Sequence, residues 1–235
     1  MISAMLLALA AGLTIPAGAF LASREHFAKR SRERELDGFV MDFGGGALLA
    51  AVALVLVPHG MEDTTVLVAS LSFAAGGVVA WRLSIALGQR SGAASQFLGM
   101  LLDYVPESVA LGASAAIGSG TAYLLAGLIA LQNLPEGFAS FEEMRTSGVS
   151  AARRRLLFGT APLAGPLAAL LGHHLLSGTP QVLAAIMLFC SGGIVYLVFE
   201  DIAPRARVPR VRFTAIGAVL GFLLGMVGTM LVGSG

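Results

Sequence analysis

The stretch "LLDYVPESVA" at residues 101–110 has a near repeat in "LQNLPEGFA" at residues 131–139. Both stretches interrupt long apolar runs, and each places a glutamate directly after a proline, at Glu107 and at Glu136. Carboxylates are expensive to remove from water, so a carboxylate in an apolar helix needs a compensating partner. The remainder of the sequence restricts what that partner can be.

The composition is that of an integral membrane protein. Of the 235 residues, 56% are hydrophobic and only 12% are charged, which excludes a soluble domain with a charged shell. Thirty glycines fit close helix packing in lipid. No soluble domain interrupts this pattern, so residues 1–235 are predicted to form a single transmembrane domain. The single cysteine, Cys190, is interpreted as a small buried hydrophobic residue.

Long apolar segments predict the number of membrane crossings. A crossing helix needs about 20 apolar residues. The sequence accordingly predicts eight spans, near residues 2–22, 38–58, 66–88, 95–118, 121–143, 156–176, 181–201 and 213–233.

The basic residues predict the orientation of these spans. The intervening loops near residues 59–65, 119–120 and 177–180 contain no Lys or Arg. By the positive-inside rule, the basic loops are cytoplasmic and both termini lie outside. The expected fold is therefore an all-α bundle of eight transmembrane helices. All fifteen Lys and Arg residues fall into four segments, namely Arg24 to Arg34, Arg82 with Arg90, Arg145 to Arg155, and Arg205 to Arg212.

Polar residues are predicted near mid-membrane in two consecutive spans. Asp103 and Glu107 lie in the fourth span, and Gln132, Asn133 and Glu136 lie at similar depth in the fifth. One charged carboxylate at that depth costs about 2.5–3.5 kcal/mol on insertion scales. Every basic residue is assigned to the cytoplasmic side, so the compensating charge must be protons or a bound cation.

The spacing of these polar residues indicates how they can act together. Asp103 and Glu107 are four residues apart, as are Gln132 and Glu136, so each pair lies on one helix face. Two such faces, together with Asn133, offer three carboxylates and two amides to one small ion.

Pro106 and Pro135 explain the remainder of the repeated pattern. Neither proline can donate a hydrogen bond to the carbonyl four residues earlier, on Leu102 or Leu131. Within a membrane, such carbonyls are tolerated where they line a cavity or are satisfied by neighbours. The two prolines therefore predict carbonyls beside the polar residues that either line a cavity or are satisfied by neighbouring groups.

These motifs resemble those of a known transporter family. "DYVPESVALG" and "QNLPEGFA" are similar to the paired "HNxPEG" and "QNxPEG" signatures of the ZIP (Zrt- and Irt-like) divalent metal transporters, in the branch whose fourth-helix motif reads "DGxPES". "AGLTIPAGAF" at residues 11–20 and "FCSGGIVYLVFEDIAPRA" at residues 189–206 resemble the first and seventh helices of that family. The resemblance implies a bundle of eight helices with both termini outside.

The resemblance also implies a set of metal ligands, all of which bind through oxygen. Oxygen ligands suit Mn²⁺ and Fe²⁺, while Zn²⁺ is the substrate that the family implies and also accepts carboxylates. Zinc is therefore expected first, with manganese or iron next. The implied ligands are Asp103, Glu107, Gln132, Asn133 and Glu136.

Three positions depart from the family pattern. Tyr104 replaces an asparagine of the fourth helix, Gly165 stands in the place of a glutamate of the sixth helix, and His59 stands where the second helix often ends in Pro-Glu. The absence of the sixth-helix carboxylate predicts a site for one metal ion rather than two. His59 and Glu200 are candidates for the ion pathway outside this site.

The charged segments outside the predicted site suggest exposed structure. Glu142 and Glu143 are expected to face water beyond the fifth span, and "RSRERELD" at residues 30–37 is expected to be a short solvated loop.

The leading hypothesis is secondary uptake of a divalent cation across a prokaryotic inner membrane. The chain has no nucleotide-binding loop, so ATP is not expected to be the direct energy source. No catalytic activity, cofactor or nucleic-acid partner is expected. The expected partners are the metal cation and the lipid bilayer, and a second copy of the chain is a possible partner. The metal, the direction and the driving force stay open.

Two other functions remain as alternatives. Paired carboxylates on neighbouring helices can perform acid and base chemistry, as in an intramembrane aspartyl protease, although no Gly-x-Gly-Asp motif includes Asp103. The other alternative is a ZIP-like protein that has lost transport and acts as a metal sensor or as a partner in a membrane complex, and its only support is the changes at Tyr104 and Gly165.

Overall fold

The computed structural model describes residues 1–24, 30–88, 95–116, 120–175, 178–205 and 214–233. Within these ranges the chain is almost entirely helical and contains no β-strand. The helices are α1 (Ile2–Gly12), α2 (Thr14–Arg24), α3 (Arg30–Ala51), α4 (Val57–Glu62), α5 (Val66–Gly88), α6 (Ser95–Ala116), α7 (Thr121–Thr146), α8 (Ala151–Thr160), α9 (Ala164–Leu175), α10 (Pro180–Leu197), α11 (Ala203–Arg205) and α12 (Ile216–Gly233).

Several of these helices continue into one another through short irregular turns. π-Helical turns at Val52–Leu56 and Val198–Ile202 join α3 to α4 and α10 to α11. A 3₁₀ turn at Ala161–Leu163 joins α8 to α9, and Leu13 separates α1 from α2. The resulting long helical stretches overlap the eight segments that were predicted as membrane spans, with starts that differ by up to eight residues.

The prediction of a solvated loop at residues 30–37 is wrong. This segment is helical and forms the beginning of α3. Arg and Glu are strong helix formers, and opposite charges three residues apart, such as Arg30 and Glu33, favour a helix. The alternating charges therefore extend a helix instead of ending it.

Five helical stretches are long and apolar enough to cross a membrane. The chain is thus a multi-pass membrane protein by the length and composition of its helices. The apolar helix at Ile216–Leu231 is shorter, and α6 and α7 carry the polar residues of the paired motifs, which lower their hydropathy. The five stretches within the described residues are Ile2–Arg24, Gly38–Glu62, Val66–Ala86, Ala151–His174 and Pro180–Glu200.

Glycines bring pairs of helices into very close contact. A glycine of one helix lies against a backbone carbonyl of its partner, and a glycine of the partner lies against a carbonyl of the first helix. A β-carbon at any of these glycines would collide with the carbonyl, as expected for small-residue packing in membranes. Within the described part of the chain, such reciprocal contacts join α2 with α7 (Gly18 and Gly137), α3 with α12 (Gly46 and Gly221), α5 with α10 (Gly76 and Gly192), and α6 with α9 (Gly112 and Gly172).

The positions of the π-helical turns indicate that two parts of the fold are alike. The turn that follows α3 begins six residues after Gly46, and the turn that follows α10 begins six residues after Gly192. α3 and α10 thus occupy corresponding places in the fold. Glycines join each of them to one partner helix, α12 for α3 and α5 for α10. α6 and α7 pack against each other between these groups, which brings the two repeated motifs together.

Candidate functional site

Glu107 and Gln132 join the two repeated motifs directly. Glu107 is 2% exposed and Gln132 is fully buried, although each lies in a helix that is otherwise largely apolar. The side-chain Nε2 of Gln132 donates a hydrogen bond to Oε2 of Glu107. This contact links α6 to α7 at the predicted site and supplies the carboxylate with one donor.

The described residues provide no Lys or Arg partner for Glu107. One salt bridge among them joins Arg145 to Glu142 at 2.5 Å, near the end of α7. Oε1 of Gln132 has no hydrogen-bond partner among the described residues, and the same is true of Oδ1 of Asn133 and Oγ of Ser108. The buried carboxylate is therefore accompanied by oxygen atoms that can accept further contacts.

A cavity of about 630 Å³ lies between α5, α6 and α10. Its wall includes Asp103, Glu107, Cys190 and Glu200, and Pro106 borders it. Glu200 is exposed, whereas Glu107 is buried, so the cavity connects an exposed carboxylate with a buried one. Sequence analysis did not suggest that Cys190 would share this cavity, since nothing in its apolar surroundings indicates which way it faces.

A second, smaller cavity of about 50 Å³ lies between α3, α6 and α7. Glu136 and Pro135 line it, together with Asp103, which also lines the larger cavity. Both prolines of the repeated motif thus border a cavity. Asp103 stands at the boundary between the two spaces.

Asn133 and His59 are placed differently from the other candidates. Nδ2 of Asn133 donates to the carbonyl of Ala11 at 3.3 Å, so its side chain reaches towards α1. Nδ1 of His59 donates to the carbonyl of Val55 at 2.8 Å. Neither Asn133 nor His59 lines either of the two cavities.

The five predicted ligands therefore do not form one compact cluster in this structure. Glu107 contacts Gln132, Asp103 shares one cavity with Glu107 and another with Glu136, and Asn133 contacts Ala11. Over the ranges that the structure describes, no three His, Cys, Asp or Glu side chains come together as a ready group of metal ligands. A metal ion here would use amide oxygens or water beside the carboxylates.

Tyr104 is the most consequential residue whose position the sequence did not predict. It is fully buried, and its hydroxyl donates to the carbonyl of Ala8 at 2.7 Å and lies 3.3 Å from that of Pro162. A β-carbon at Gly12 or Gly165 would collide with the phenol. The two glycines create the space for Tyr104, a relation that no local sequence pattern reveals.

Glu143 was expected to face water, but it is half-buried and has a structural role. Its Oε2 accepts a hydrogen bond of 2.9 Å from the backbone N–H of Gln96 at the start of α6. Backbone N–H groups at a helix start have no partner within the helix, so a carboxylate can cap them. Gln96 itself lines both cavities, so this cap fixes an end of α6 that borders them.

No family model matches the sequence, and no curated protein matches it. The chemistry of the site is therefore interpreted from its own residues.

Proposed function

We propose that the protein is a secondary transporter that carries a divalent transition-metal cation across the membrane. The ion occupies a site formed by the carboxylates and amides of α6 and α7. The cavity between α5, α6 and α10 is one of its routes to water. The direction is uptake into the cytoplasm, and the membrane is the inner membrane of a prokaryote.

One observation carries this proposal. Glu107 is almost fully buried in a helix of a membrane protein, and the partner that the structure gives it is the uncharged amide of Gln132. A buried carboxylate without a counter-charge is unfavourable, and intramembrane carboxylates are characteristically functional. A bound divalent cation would supply the missing positive charge.

The neighbouring oxygen atoms support a cation rather than a proton alone. Among the unpartnered oxygens, that of Gln132 belongs to the side chain that contacts Glu107, and such neutral acceptors ligate hard and intermediate cations. Asp103 is near enough to Glu107 along α6 to share the cation through the larger cavity. A proton on Glu107 would leave these acceptors unused.

The resemblance of the repeated motifs to those of ZIP transporters supports the same function. Under this proposal the chain has the topology of that family, with eight crossings and both termini outside, and α6 and α7 are the fourth and fifth crossings. Zn²⁺ is the expected substrate from the resemblance, and Mn²⁺ or Fe²⁺ follow from the oxygen ligands.

Metal flux into proteoliposomes tests this function. The purified protein is reconstituted with an enclosed metal-sensitive dye, and Zn²⁺, Mn²⁺, Fe²⁺, Co²⁺ and Cd²⁺ are added in turn. We expect saturable entry that Glu107→Ala abolishes. Glu62→Ala is the matched control, because Glu62 is an exposed carboxylate at the end of α4 and should leave flux unchanged. Flux that persists in Glu107→Ala would contradict the proposed site.

A transport-inactive metal sensor is the second candidate. The packing of Tyr104 against Gly165 favours it, because a large side chain fills the position at which a second carboxylate would otherwise stand. Metal binding by calorimetry, combined with the absence of flux for every metal tested, would identify a sensor or a structural partner.

A further inference from the structure

Cys190 lies on the wall of the cavity that holds the buried carboxylate. It belongs to α10, whereas Asp103 and Glu107 belong to α6, and all three line the same space of about 630 Å³. Cys190 is only 6% exposed, so it faces the cavity and not the lipid surface. A role as a small hydrophobic residue explains its burial but not its position beside two carboxylates.

A second observation on the same wall points to a ligand. Glu107 is 2% exposed, and only its Oε2 has a partner, namely Gln132. Its Oε1 has no hydrogen-bond partner in the described part of the chain. A buried carboxylate and a thiol thus face one cavity from two different helices, and Asp103 lines the same cavity.

Sulfur and oxygen ligands select different cations. Thiolates favour Zn²⁺ and other thiophilic ions such as Cd²⁺, whereas carboxylates and amides suit Mn²⁺. Only the thiolate binds a metal ion, so binding displaces the thiol proton, which passes to the water of the cavity. One sulfur ligand in a site of oxygens would therefore change the order of preference among divalent cations.

We propose that Cys190 is a specificity-determining ligand of the transported ion, which it binds together with Glu107, and that it favours Cd²⁺ and Zn²⁺ over Mn²⁺. This inference rests on the proposed transport function and refines its substrate class. The remaining ligands are water and the amide oxygen of Gln132, since the described residues contain no cluster of three stronger ligands. Transport of zinc would then not require histidine in the site.

Competition between metals tests this role. In proteoliposomes, Cys190→Ser replaces sulfur with oxygen at nearly the same size, and we expect the ratio of Cd²⁺ to Mn²⁺ flux to fall by roughly tenfold, equivalent to about 1.4 kcal/mol. Ser84→Ala is the matched control, because Ser84 is another small polar residue on the same wall and should not change the ratio. An unchanged ratio in Cys190→Ser would overturn the inference.

Two spectroscopic and chemical measurements do not depend on flux. Titration of the wild-type protein with Cd²⁺ should produce the ultraviolet charge-transfer band of a cadmium thiolate. Because the chain has a single cysteine, alkylation by a small maleimide reports on Cys190 alone. We expect Cd²⁺ to slow alkylation and Mg²⁺ not to slow it. Absence of the band, or alkylation that Cd²⁺ leaves unchanged, would contradict the inference even if Cys190→Ser fails to fold.

These results separate the inference from the function on which it rests. If Glu107→Ala abolishes flux while Cys190→Ser leaves selectivity and the cadmium band unaffected, transport stands and the role of Cys190 falls. If the wild-type protein carries no metal but forms the cadmium band, the proposed transport falls and Cys190 is still a metal ligand.

Discussion

Tyr104 covers Gly165 so closely that a β-carbon at residue 165 would overlap the phenol ring. The hydroxyl of Tyr104 is held by the carbonyl of Ala8, which fixes the ring between α1, α6 and α9. Two of the three positions that differ from the ZIP signatures, residues 104 and 165, are therefore in contact. The tyrosine occupies the volume into which a side chain at residue 165 would extend, so the two departures depend on each other.

Gly165→Ala should destabilise the protein because of this contact. The added methyl group would force Tyr104 or the backbone of α9 to move, and overpacking of this kind typically costs about 1–3 kcal/mol. Thermal unfolding in detergent measures the effect. Gly127→Ala is the control, because a β-carbon at Gly127 would meet nothing within 4 Å.

The double variant Tyr104→Leu with Gly165→Ala tests why Gly165→Ala loses stability. The loss arises either from the contact with Tyr104 or from an intolerance of any substitution at residue 165. If residues 104 and 165 compete for one volume, the loss in the double variant will be smaller than the sum of the two single losses. Additive losses would mean that Gly165 is needed for another reason.

Gly76→Ala should weaken the contact between α5 and α10, whereas Gly77→Ala should not. A β-carbon at Gly76 would collide with the carbonyl of Phe189, but at Gly77 its nearest neighbour would be a carbonyl oxygen at 3.6 Å, an ordinary contact. The backbones approach so closely only because Gly76 has no side chain. Unfolding temperatures of the two variants, measured side by side, check this prediction. Equal losses would show that the crossing tolerates a methyl group.

The apolar segments of the sequence predicted the positions of the helices, because the length of a helix in lipid is a local property. The pairing of the helices could not be predicted in the same way. Gly18 and Gly137, for example, are far apart in sequence, and neither position differs visibly from those of other glycines. Close contact between two particular glycines depends on the packing of the whole bundle.

The candidate site was likewise predicted in part. The spacing of Asp103 and Glu107 predicted that both would share one face of a helix, and both line one cavity. The orientation of Asn133 and the position of Cys190 were not predicted, because each depends on another helix, α1 for Asn133 and α6 for Cys190. Helix periodicity predicts which face of its own helix a residue occupies, but not which residue of another helix lies opposite.

Glu143→Ala should reduce stability more than Glu142→Ala. Glu143 caps the backbone N–H of Gln96 at the start of α6, and the loss of a helix cap typically costs about 0.5–2 kcal/mol. Glu142 forms a partly exposed pair with Arg145, and such pairs contribute about 0–1 kcal/mol. Unfolding in detergent compares the two variants. A larger loss for Glu142→Ala would contradict the capping role.

Cysteines introduced one at a time at residues 63 and 147, in a Cys190→Ser background, should be accessible from opposite sides of the membrane. Ser147 lies in a basic loop and Asp63 in a loop without basic residues, and both are exposed. By the positive-inside rule, we expect an impermeant maleimide added to intact cells to label Asp63→Cys and not Ser147→Cys. Labelling of both from outside would contradict the predicted division into eight crossings.

Gln132→Glu should make the stability of the protein depend strongly on metal. The substitution places a second carboxylate against Glu107, and two buried like charges in contact repel each other unless a cation or a proton lies between them. We expect a lower unfolding temperature than that of the wild type without metal. We also expect a larger rise on addition of Zn²⁺ or Mn²⁺, because a ligand that binds only the folded state stabilises it. Thermal shifts in detergent, with and without each metal, measure both effects.

Gln181→Glu is the matched control, because Gln181 is an exposed glutamine at the start of α10 and should not respond to metal. If Gln132→Glu responds to metal no more than Gln181→Glu, the cation does not bind between residues 107 and 132.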